Sequence, residues 1–150
     1  MPAPKKGASD SADSREHELI ANLNGRYDEI NKLWTQAEQR LKRFPIPTDV
    51  HVVINSNPAS NDPREDRSIS EALGYVKSCG GWRICFGTYH DGYPDEDWSW
   101  KPLLDCSLDV RISAIPHLTK LKGGVVEAAE KSIATLDAGI SELRDAVSAI

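Results

Sequence analysis

Residues 126–150 read VEAAEKSIATLDAGISELRDAVSAI, in which Val126, Ala129, Ile133, Leu136, Ile140, Leu143, Val147 and Ile150 recur at alternating intervals of three and four. That spacing puts every apolar side chain on one stripe of an α-helix. A stripe that repeats every seven residues stays on one face only when the helix lies at a shallow angle against a partner, as in a coiled coil or a bundle. A seam of the same kind, Ile20, Leu23, Tyr27, Ile30, Trp34, Ala37 and Leu41, lies near the other end of the chain. Two long terminal amphipathic helices are therefore expected, packed on each other on one face of whatever lies between them, or on a second copy.

Working inward from the front, Asp13 followed by Glu16 forms a capping-box pattern, so the first helix is expected from Ser14 to Arg43. Phe44-Pro45-Ile46-Pro47 stops it, because proline lacks the N–H and forces its predecessor into extended geometry. Residues 1–13 are rich in Pro, Ala, Ser and Lys and are expected as a disordered tail, leaving 14–150 as a single α+β domain. Val50-His51-Val52-Val53-Ile54 reads as a short strand buried on both faces, with His51 as a hydrogen-bonded core histidine. A long polar loop, residues 55–67, follows.

Ser68-Ile69-Ser70-Glu71 is a second capping-box pattern ahead of Ala72, Leu73 and Val76, which favours a short helix ending at Gly80-Gly81 over the alternative of a hairpin strand. Residues 82–89 (WRICFGTY) alternate as a strand. So do Leu104, Cys106, Leu108, Val110, Ile112 and Ala114 against polar neighbours, and the two are expected to pair antiparallel across a loop spanning 91–101. Pro116 suits a helix start, and Gly123-Gly124 predicts a kink before the final seam. The expected fold class is α+β: a small antiparallel or mixed sheet of about three strands in the order α-β-α-β-β-α.

The chain has 150 residues, enough for one ordinary core, and 18 basic against 23 acidic residues. The balance is 8 to 7 before Pro47, 5 to 10 from there to Ser107, and 5 to 6 beyond, so the acidity is central. No basic face is available to displace counterions from phosphates, which argues against nucleic acid as a partner. Cys79, Cys85 and Cys106 are odd in number and show no C-x-x-C spacing, so neither a disulfide framework nor a zinc site is expected. No apolar run is long enough to span a bilayer, and a cytoplasmic protein without membrane association is expected.

The most unusual composition is 89–100, YHDGYPDEDWSW, which crowds four carboxylates, one histidine and four aromatics into one strand connection. It is the best candidate site: Tyr89, His90, Asp91, Tyr93, Asp95, Glu96, Asp97, Trp98 and Trp100, joined by Trp82 on the preceding strand and Arg111 on the polar face of the following one. Aromatics beside acids can grip a cationic or aromatic ligand, or a basic partner surface. The spacing matches no calcium loop, and the glycine pairs match no nucleotide loop, so no metal and no cofactor are expected.

These features favour a non-enzymatic interaction protein, chaperone-, adaptor- or inhibitor-like, acting by surface complementarity on another protein, with a homodimer suggested by the self-complementary seams. The alternative is a small-ligand module that uses residues 89–100. A divergent enzyme acting through Asp95, Asp97 or His90 is the third reading.

Overall fold

A computed structural model describes residues 6–58, 68–78, 80–91 and 97–150. The chain divides between Ala37 and Glu38 into a helical unit and an α+β unit. The helical unit is most of α1, Lys6–Leu41. Within it Leu19, Ile20, Leu23 and Leu33 are about half exposed.

The α+β unit is built on a four-stranded antiparallel sheet in which chain order and spatial order coincide: β1 (Val50–Pro58), β2 (Ser68–Val76), β3 (Arg83–Asp91) and β4 (Trp98–Pro102). A 3-10 turn at Leu103–Asp105 leads to α2 (Leu108–Ala114), a second turn at Ile115–His117, and then α3 (Leu118–Ser148). The order is α-β-β-β-β-α-α. Four strands therefore stand where about three were expected, in an α+β fold as read.

Several assignments change, each for a physical reason. The segment expected as a short helix is β2, which is paired along its length with β1 on one side and β3 on the other. Ladder hydrogen bonds on both edges outweigh a local capping pattern, and Ala72, Leu73, Tyr75 and Val76 are buried because the strand is central. The partner of β3 is not 104–114 but β4, inside the stretch expected to be loop, with Tyr89 opposite Trp98 and Gly87 opposite Trp100. The 104–114 alternation is instead a 3-10 turn followed by helix. Leu104, Leu108 and Ile112 are four apart, which suits a helix as well as a strand, and Ser107 settles the matter as N-cap by accepting a hydrogen bond from the Val110 N–H.

β1 is an edge strand and not one buried on both faces: His51 and Val53 are exposed while Val50 and Val52 are half-buried. No kink appears at Gly123-Gly124 either, because α3 is continuous. A Cβ at Gly124 would lie 2.8 Å from Val50 Cγ1, so that glycine permits the close approach of α3 to the sheet.

The core forms where α3 meets β1 and β2. Leu121 and Val125 of α3 are fully buried, together with Leu73, Tyr75 and Leu103. Glu38, at the last turn of α1, is buried and charged. Its Oε1 accepts hydrogen bonds from Arg83 Nε at 3.3 Å and the Ile84 N–H at 3.0 Å, so the charge is paired where it is desolvated. Burial and then the nearby Glu38 charge push the Tyr75 phenol above its usual 10.0.

Candidate functional site

Pairing and pleat decide which aromatics meet. Val53, Ala72, Gly87 and Trp100 lie in register across the four strands, and Tyr89 and Trp98 form the next matching pair on the same face. The Trp100 indole lies flat on the sheet: a Cβ at Gly87 or Gly74 would fall 2.5 or 2.7 Å from its ring. The two glycines form a shelf for it. Trp98 stacks on Trp100 with centroids 5.3 Å apart and 22° between planes, and Tyr89 and His51 stand 5.3 Å and 4.9 Å from Trp98. Both tryptophans and Tyr89 are half-buried and His51 is exposed, so one side of the platform reaches solvent.

The predicted site is thus assembled only in part. Tyr89, Trp98 and Trp100 converge. Trp82 does not join them: it stacks on Tyr75, centroids 5.3 Å apart, and Tyr75 projects from the face opposite Gly74 and Trp100. His90 and Asp91 are exposed at the end of β3. Asp97 folds back on its own chain, its Oδ1 accepting the Trp98 N–H at 2.8 Å. Tyr93, Asp95 and Glu96 lie outside the described residues. Arg111 is on α2 and not on a strand face, with its Nε buried and without a hydrogen-bond partner among the described residues. His51, read as a core histidine, belongs to the platform instead. Its position on an edge strand, which only the sheet order reveals, is what exposes it.

Among the described residues, no three His, Cys, Asp or Glu side chains converge to hold a metal ion. Cys85 is buried in β3. The Cys106 thiol, expected on the apolar face of a strand, sits after a 3-10 turn and donates to the Pro102 carbonyl at 3.4 Å. No described helix is long and apolar enough to cross a membrane.

A groove of 810 Å³ runs between the Pro45–His51 segment and α3. Gly124, Ala128, Ser132 and Leu136 form its helical wall. Beyond Leu136 the helix leaves the body of the unit. Ile133, Leu136, Ile140, Leu143 and Val147 are between 50% and 64% exposed and Ile150 is fully exposed, so the whole second half of the seam faces water. Exposed apolar side chains are ordinary singly, but here five stand in a row along one helix, with Ile150 just past its end, and form a continuous apolar stripe.

The chain matches no known protein family, no curated protein and no solved structure.

Proposed function

We propose that this protein is a non-enzymatic interaction module that binds another protein chain by surface complementarity, through the exposed apolar stripe of α3. The single observation that supports it most is the row Ile133, Leu136, Ile140, Leu143, Val147 and Ile150, uncovered on a helix whose first half is packed. Most of a helix's stability in a protein comes from packing of its apolar face, and an apolar stripe gains that stabilisation only when something covers it. The test is in-cell photo-crosslinking from a benzoylphenylalanine placed at position 143, on the stripe, or at 145, on the opposite face. Discrete protein adducts from 143 and none from 145 support the reading. Equal labelling from both positions, or none from 143, overturns it.

A second reading, small-ligand binding on the aromatic platform, is favoured by the convergence of His51, Tyr89, Trp98 and Trp100 at a partly open face. It expects saturable quenching of tryptophan fluorescence by a flat cationic or aromatic compound, lost in Trp98→Ala while the fold is retained. Quenching that survives the substitution counts against it.

A further inference from the structure

We infer that the occupant of the α3 stripe is a second copy of this chain, paired antiparallel over residues 133–150. The inference rests on the reading that this stripe binds protein, and it fixes the partner and the geometry.

With Ile133, Ile140 and Val147 at one repeating position (a) and Leu136, Leu143 and Ile150 at the other (d), an antiparallel pair sets each a residue against a d residue of the partner. Such a seam is complementary to itself. Six side chains exposed to the extent seen here would contribute on the order of 600 Å² a side, the lower end of a specific interface.

Five turns of helix take 18 residues, so Leu136 and Leu143 point the same way as Leu118 and the buried Val125, while Ile140 points the same way as the exposed Lys122. The stripe of the exposed half therefore lies at the edge of the sheet-covered side and is turned partly away from it.

Charge chooses the antiparallel direction and sets the register. Centring the pair between Ile140 and Leu143 puts Ile133 against the partner's Ile150, Leu136 against the partner's Val147, and Ile140 against the partner's Leu143. On one flank Asp137 then meets the partner's Arg144, and symmetry repeats the ion pair. On the other flank Gly139 meets the partner's Ala146, small against small, with no charge to desolvate. In the parallel arrangement Asp137 would instead face the partner's Ser132, and Arg144 the partner's Gly139, with no opposite charge in reach. The stripe also opens at Leu136 into the groove beside Pro45 and Pro47, where the partner's last turn arrives.

The experiment is sedimentation equilibrium of the full chain across the micromolar range, with three variants and one pair of labels. Wild type is expected to pass reversibly from monomer to dimer. Leu143→Asp should weaken dimerisation about 100-fold or more by setting a carboxylate in the seam. Asp137→Arg should weaken it about tenfold, and the exchange of both charges, Asp137→Arg with Arg144→Asp, should restore it. The charge variants alter only exposed side chains and keep the test valid even if Leu143→Asp misfolds. Spin labels at Ser148 should lie about 20 Å apart along the helix axis, not side by side. A monomer at every concentration, a dimer indifferent to all three variants, or labels side by side would overturn the inference. Face-specific adducts to a different protein from position 143 would also overturn it while leaving the proposed function standing, whereas no face-specific adduct at all removes both.

Discussion

The two halves of α3 share one sequence pattern and meet different fates. From Leu118 to Ser132 the helix lies on β1 and β2, with Leu121 and Val125 fully buried and Gly124 close enough to Val50 that no side chain fits between them. From Ile133 onward the seam continues with its apolar side chains half or more exposed, Leu136 lining the edge of the groove. A hydrophobic repeat thus specifies which side of a helix is to be covered, without specifying by what. In the first half the sheet of the same chain is the cover. In the second half the stripe is exposed.

The sharpest way to break this comparison is to place one carboxylate in each half. Val125→Asp buries an unpaired charge and should cost at least about 4 kcal/mol, enough to leave the unit largely unfolded. Leu143→Asp should leave the stability of the monomer within about 0.5 kcal/mol of wild type, because the site is already wet. Urea denaturation at a concentration below dimerisation measures both. Similar losses at the two positions would show that the second half is covered within the chain.

Ion pairs offer the same contrast at smaller scale. Glu38→Ala removes the acceptor of the buried Ile84 N–H and leaves Arg83 unpaired, with an expected loss of about 2–4 kcal/mol. Glu127→Gln breaks the exposed pair with Lys131, 3.2 Å apart, and should change stability by less than about 0.5 kcal/mol. Chemical denaturation of the two variants side by side checks the difference.

Two glycines of α3 should respond with opposite sign. Gly124→Ala forces a methyl against Val50 and should destabilise by roughly 1–3 kcal/mol, with Val50→Ala relieving much of the cost in the double variant. Gly139→Ala meets nothing within 4 Å and should raise monomer stability by about 0.5–1 kcal/mol through helix propensity alone. Melting temperatures of the four proteins decide the point.

The smallest effect is confined to alkaline solution. The Tyr75 phenol is raised by burial and by Glu38, so the folded state resists its ionisation. Below the ordinary tyrosine value of 10.0 the group is neutral in both folded and unfolded chains, and its contribution does not vary with pH. As the pH rises past 10.0 the unfolded chain ionises first, and stability falls until the folded phenol also ionises. Tyr75→Phe should flatten that alkaline limb in a stability profile. An unchanged slope above pH 10 would show that other tyrosines account for it.

Much of the fold was legible where a pattern admits one period. The seam of α3, the alternation of β3 and the proline stop after α1 are unambiguous locally. Residues 104–114 were not, because positions two and four apart satisfy a strand and a helix alike, and the deciding interaction is a single Ser107 cap. The 68–76 segment misled for a different reason: its capping pattern is real, but the ladder on both sides of β2 offers more hydrogen bonds than one helical turn. The candidate site was half legible. Clustered aromatics in 89–100 announced themselves by composition, yet the meeting of Trp98 and Trp100 with His51 depends on a strand order that no local signal carries.

Periodicity, turn chemistry and charge balance are local quantities, and they sufficed for an α+β chain with long amphipathic helices. Which half of a stripe is buried, why Gly74, Gly87 and Gly124 carry no side chain, and which aromatics share a face are answers about distances between residues far apart in the chain. Those distances are set by β pairing and by where the sheet stops. The same apolar pattern is therefore buried at Val125 and exposed at Leu143, and only packing separates the two.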